Sequence, residues 1–129
     1  MKHVNCYWQI DTHDWSIDGE EDRFTLRAPH QDAELAIDTY DSVATDHWQA
    51  MLANAANRVA EGYQAETVVC GDYEGVTYES HHDGSPHREW ILEYAGVAVF
   101  VTLFGSGGQY QRHLDTANSI LASMTSHRP

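Results

Sequence analysis

The stretch that most constrains the fold runs from Trp90 to Phe104, WILEYAGVAVFVTLF, the only long run of the chain with almost no polar interruption. Ala95-Gly96 divides it into two strand-length halves. In the second half Val97, Val99, Val101 and Leu103 alternate with Ala98, Phe100 and Phe104, so both faces are apolar. A strand of that kind is covered on both sides. The run is too short and too rich in β-branched residues to be a membrane-spanning helix. It is the expected centre of a sheet with a helix on each face.

The remaining segments supply that sheet and its cover. Residues 3–10 (HVNCYWQI), 24–28 (FTLRA) and 34–40 (ELAIDTY) have strand composition, and Pro29 closes the second of them. From Thr45 to Gly62 the spacing predicts a helix. Thr45 is a good N-cap, Asp46 meets the positive helix end, and Trp48, Met51, Leu52, Ala55, Ala56 and Val59 recur at helical spacing before Gly62. Strands are expected again over 67–73, 75–80 and 89–94. After Phe104 a Gly-rich turn opens a second helix: Ser106 and Gln109 fit a capping box, and Tyr110, Leu114, Ala117, Ile120, Leu121 and Met124 form an apolar stripe.

Short turns between consecutive strands predict a mostly antiparallel sheet of about six to seven strands. With a helix on each face this is an α+β protein, an α/β/α sandwich. No linker or repeat divides the 129 residues, so one domain over 1–129 is expected, large enough to bury a core without disulfides or a structural metal. Cys6 and Cys70, far apart and outside any CxxC, read as small buried residues.

The charge is lopsided. Twenty Asp and Glu stand against one Lys and six Arg, a formal net charge of -13 with His neutral. Such a surface repels phosphate and attracts basic partners, which excludes nucleic acid and anionic membrane as expected ligands. Protonating all nine His would move the charge from -13 to about -4, so the field weakens as pH falls through roughly 6.5. The first twenty residues show no basic start followed by an apolar stretch, and a cytoplasmic location is expected.

Trp15 in HDWSIDG follows the first strand, then come RFTLRAP and AELAIDTY ahead of an amphipathic helix. EYAGVAVFVTLFG then precedes a helix ending ANSILASM. This order resembles the Mog1/PsbP-like fold, DcrB-type domains included, with His13 near the place of the family's usual Pro. The resemblance implies a binding or assembly role, because members are adaptors: a GTPase-binding factor, a photosystem assembly subunit, chaperones for secreted toxins. It implies no shared catalytic residue, and fold analogy does not choose the partner.

Two clusters are candidate sites. In the acidic stretch DTHDWSIDGEED, the residues Asp14, Asp18, Glu20, Glu21 and Asp22 surround Trp15, which suits docking of a basic protein with the indole as anchor. Asp14, Ser16, Asp18, Gly19, Glu20 and Asp22 also reproduce the spacing of a calcium loop, but Thr25 stands where a bidentate Glu should close the shell. A solvated acidic hairpin competes with both readings. His81, His82, Asp83 and His87 bring imidazole and carboxylate ligands within seven residues, as a zinc site requires. Adjacent His on a strand point to opposite faces, however, and an exposed hairpin is the plainer reading.

FGSGGQ lacks the Walker Lys and the GxGxxG spacing and reads as a strand-to-helix turn. HExxH, GxSxG and kinase signatures are absent from the sequence. The expected function is therefore a non-enzymatic acidic adaptor engaging a basic protein partner, such as a bacterial immunity protein or effector chaperone, with no cofactor. The alternatives are a metal-binding protein or metal-dependent enzyme using the His81 to His87 loop, with zinc or calcium as the candidate ions, and an orphan domain whose acidity is environmental.

Overall fold

The computed structural model describes residues 1–20, 22–40 and 65–127. The helix expected over 45–62 lies outside the described residues, as do Glu21 and the side chain of His82. In chain order the strands are β1 (Lys2–Val4), β2 (Trp8–Asp11), β3 (Ser16–Glu20), β4 (Arg23–Arg27), β5 (Ala33–Tyr40), β6 (Ala65–Cys70), β7 (Tyr73–His82), β8 (Ser85–Tyr94) and β9 (Val97–Gly105). Two 3-10 turns, Ser106–Gly108 and Tyr110–His113, lead into helix α1 (Leu114–Ala122) and a short β10 (Thr125–Ser126).

Among the described residues the main sheet has seven strands in the order β3-β4-β5-β9-β8-β7-β6, and every pairing is antiparallel. The apolar run occupies its middle: β9 lies between β5 and β8, with Ile37 opposite Val101 and Trp90 opposite Val101 on the other side. Val97, Val99, Val101 and Leu103 are fully buried on one face, and Ala98 and Thr102 are buried on the other. The reading of a strand covered on both sides holds along most of its length. Phe104, at the end, is exposed.

The larger core lies on the first face. Trp8, Ile10, Leu26, Leu35, Ile37, Trp90 and Leu92 meet Ala117, Ile120 and Leu121 of α1 there. Each large side chain so buried stabilises the fold by about 1.5–3 kcal/mol. A second small sheet, β1-β2-β10, closes the same core. It is tied down by Asp72, whose backbone N–H donates to the Met124 carbonyl and whose carboxylate accepts from the Ser126 N–H. On the second face Tyr78 and Ile91 are fully buried, with Val76 and Phe100 packed against them.

Several boundaries differ from the sequence expectation for local reasons. The single strand expected over 3–10 is a hairpin, because Asn5 Oδ1 accepts from the N–H groups of Tyr7 and Trp8 at 2.8 and 3.0 Å and folds the chain back. The stretch SIDGE, expected as loop or hairpin tip, is strand β3: Ile17 pairs with Leu26 and packs against the core, while Asp18 and Glu20 stay exposed. The loop expected from His81 to His87 shrinks to a turn at Asp83-Gly84, both at positive φ, which suits a two-residue hairpin. The capping box at Ser106 does not form. Gly107 and Gly108 have positive φ, no side chain caps the turn, and the α-helix starts only at Leu114.

Candidate functional site

The acidic stretch is an edge of the main sheet. Asp14, Asp18, Glu20 and Asp22 are all exposed, and Asp18 is 83% exposed at its side chain. The hairpin has cations of its own in Arg23 and Arg27, but the neighbouring strand draws them away. Arg23 Nε lies 3.3 Å from Asp38 Oδ1 and Arg27 Nε 3.4 Å from Glu34 Oε1, both acids on β5, while Arg27 reaches Asp18 only at 3.9 Å. The β3 edge therefore keeps a surplus of negative charge. Burial pushes the Asp38 carboxyl above its ordinary range, with Arg23 opposing and Asp22 adding to the shift.

Trp15 does not share that surface. It is 5% exposed, packs in the main core and meets the His113 ring edge-on at 5.9 Å, so the anchor role expected of it is taken by the core instead. Its backbone N–H donates to Thr12, closing a turn that swings the indole inward while Asp14 stays outside. Ser16, Asp18 and Glu20 run along an extended strand, and Thr25 pairs opposite Asp18. An extended strand does not wrap a cation, unlike the turn that a calcium loop needs.

The histidine cluster is divided by strand parity. His81 pairs with Pro86 and is exposed, whereas His87 pairs with Ser80 and is 6% exposed. His87 lies against Phe104 at 5.0 Å between ring centroids, with Nε2 3.7 Å from Glu89 Oε1. Asp83 is exposed at the hairpin turn, and His82 pairs with Ser85. Among the described residues no group of three or more His, Cys, Asp or Glu is gathered as a metal site. Ser80 and Glu89, which sequence reasoning missed, form a buried polar patch with His87. Its signal was the hairpin register, which pairs polar residues on the second face.

At the other end of the sheet a cleft of about 490 Å³ opens between β6 and α1, lined among others by Val68, Cys70, Thr77, Arg88, Trp90 and Asn118. Arg88, the only Lys or Arg between residues 65 and 111, is held there. Its Nε donates to Thr77 Oγ1 at 2.9 Å, Thr77 donates to the Glu89 carbonyl, and Glu66 lies 3.7 Å from the guanidinium. Burial pushes the Cys70 thiol up to about 11, so it is no nucleophile at neutral pH. On the opposite face a second groove of about 420 Å³ is bounded by Thr67, Val69, Glu74 and Glu93. The Gly-rich turn after β9 makes backbone contacts within the fold, the Ser106 N–H donating to the Asp32 carbonyl.

Together these features define a mostly β domain built on a seven-stranded antiparallel sheet, with one described helix packed on it and charged open edges. No helix among the described residues is long and apolar enough to cross a membrane. No family model and no curated protein matches the chain. The fold is similar to a crystal structure from Bacteroides thetaiotaomicron, with a TM-score of 0.65 and 15% sequence identity. The match covers 98% of this chain and 48% of that one, so the chain spans about half the length of its structural neighbour. At that identity the likeness is one of fold alone.

Proposed function

We propose that the chain is a non-enzymatic binding domain that docks a basic protein through the acidic β3–β4 hairpin. One observation carries this reading: Asp14, Asp18, Glu20 and Asp22 are exposed along an edge whose arginines are drawn toward the acids of β5. Exposed surface carboxylates on a chain of net charge -13 accelerate encounter with a cationic surface and discriminate against anionic ones. An immunity protein or effector chaperone acting in the cytoplasm is a concrete instance. A Mog1/PsbP-like α/β/α arrangement, with a helix on each face, belongs to the same proposal and is in keeping with the buried Tyr78 and Ile91 on the second face.

The test compares wild type with a variant carrying Asp14→Asn, Asp18→Asn, Glu20→Gln and Asp22→Asn, both immobilised in native lysate at low salt. A basic protein retained by the wild type, released as salt rises and lost with the variant is the expected result. Equal retention by both forms removes the hairpin from the reading.

A further inference from the structure

We propose that β6 is a second, independent docking edge, to which an extended basic peptide adds as a further strand. It lies at the opposite end of the sheet from the acidic hairpin, so it goes beyond the function proposed above.

Three features converge on β6. Among the described residues it is the last strand of the sheet, pairing with β7 on one side. Its register ends in a two-residue turn at Gly71-Asp72, with Cys70 opposite Tyr73. In such a hairpin the closing pair is hydrogen-bonded, and alternation along an antiparallel ladder then turns the N–H and C=O of Thr67 and Val69 away from β7. Those are the groups an added strand uses.

The second feature is composition. Natural edges are blunted by charge, proline or bulges, and β3 is blunted in that way by the exposed Asp18 and Glu20. β6 reads AETVVC, has one charge at its start, Glu66, and no proline, and leaves Val69 70% exposed. A β-branched residue so placed on an edge offers a side-chain contact to an incoming strand.

The third feature chooses the occupant. The cleft and the groove flank β6 on its two faces, ready for alternate side chains of an added strand. Their charged lining is Glu66 with Arg88 on one side and Glu74 with Glu93 on the other. Arg88 and Glu66 offset each other in the cleft, which leaves Glu74 and Glu93 as the net charge of the lining. A strand carrying Lys or Arg at alternate positions complements this lining, with β-branched residues between them to meet Val69. A second copy of the chain would instead bring another charge of -13 to the same edge.

The probe is a fluorescein-labelled peptide of alternating Lys and Val, with a control of equal charge in which each Val is replaced by Pro. Fluorescence anisotropy at low salt should show the Lys-Val peptide binding at least about tenfold more tightly than the control, which cannot add as a strand. Val69→Pro removes an N–H facing away from β7, and Glu66→Lys reverses the flanking charge. Each should weaken binding about tenfold or more, whereas Asp18→Lys with Glu20→Lys on the opposite edge should leave it within about twofold. Amide exchange at Thr67 and Val69 should slow when the peptide is added to wild type, a readout that stands even where Val69→Pro fails to fold.

No binding, equal binding of the proline control, or unchanged exchange at Thr67 and Val69 overturns the proposal. So does a loss that follows the Asp18 and Glu20 changes rather than Glu66→Lys. Sedimentation showing a wild-type dimer that Val69→Pro converts to monomer assigns the edge to a second copy and overturns it as well. The hairpin reading has its own test at Asp14 to Asp22, so either can fail without the other.

Discussion

The indole N–H of Trp8 donates to Thr39 Oγ1 at 3.0 Å in the interior, joining β2 of the small sheet to β5 of the main one. Trp8 is fully buried and Thr39 nearly so, and the ring also meets Phe24 edge-on at 5.6 Å. The contact gives a large side chain both its apolar cover and a partner for its one polar atom. Thr39→Val keeps the shape and removes the acceptor. The expected cost is about 1–3 kcal/mol, the penalty of a buried unsatisfied donor, read as a lower thermal midpoint with unchanged near-ultraviolet circular dichroism. An unchanged midpoint would show that the indole finds another acceptor.

Asp38 sets a pH dependence. Its folded-state pKa is raised above the ordinary 3.8, chiefly by burial. A raised carboxyl contributes stability that is fully present below the unfolded pKa and is lost as pH rises through the folded one. Asp38→Asn should therefore melt higher than wild type at pH 7, and the gap should close as pH falls below about 3.8. Thermal melts from pH 3 to 7 decide this; a gap that widens on acidification contradicts the assignment.

His3 works in the opposite sense. Burial against Trp8 and Phe24 lowers its pKa from 6.5. The neutral ring contributes stability above the unfolded pKa, and this is lost as pH falls through the folded value, because the unfolded chain binds the proton first. His3→Phe should flatten the decline in stability below about pH 6.5, measured by urea midpoints across that range.

The two cysteines should react differently. Cys6 is exposed, while Cys70 is buried with its pKa pushed up to about 11. At pH 8 the Cys70 thiolate is then about a thousandth of the total. Native protein should take up one equivalent of iodoacetamide and unfolded protein two, as counted by mass spectrometry. Rapid native modification of both would contradict the buried placement of Cys70.

Gly75 should not tolerate a side chain. A Cβ there would lie 1.8 Å from the Ile91 carbonyl oxygen, a backbone atom of the neighbouring strand that cannot swing aside. Gly75→Ala should cost more than about 2 kcal/mol in denaturant unfolding, in contrast to Gly84→Ala, whose Cβ meets nothing within 4 Å. Gly84 keeps a positive φ of 79°, so that control should show only the smaller penalty of backbone strain.

The main strands were legible because burial leaves a period in the sequence. Val97 to Leu103 announced a strand covered on both sides, and the stripe from Tyr110 to Met124 announced a packed segment, because alternate or helical spacing follows directly from backbone geometry. The exposed carboxylates at Asp14, Asp18, Glu20 and Asp22 were legible for a similar reason: charge that dense has nowhere else to go. Trp15 was misread because it stands among those acids. Composition averages over neighbours, whereas one turn at Thr12 decides which way a single indole points.

Composition and local spacing were enough to specify an acidic chain with a central apolar strand, short turns and antiparallel pairing. It took the folded chain to show that His81 and His87 lie on opposite faces, that Arg88 sits in a cleft held by Thr77 and Glu66, and that β3 and β6 are the outermost strands among the described residues. Those facts depend on which strand pairs with which, and in what register. Pairing between residues distant in the chain is chosen by the packing of the whole core, and no local stretch records it.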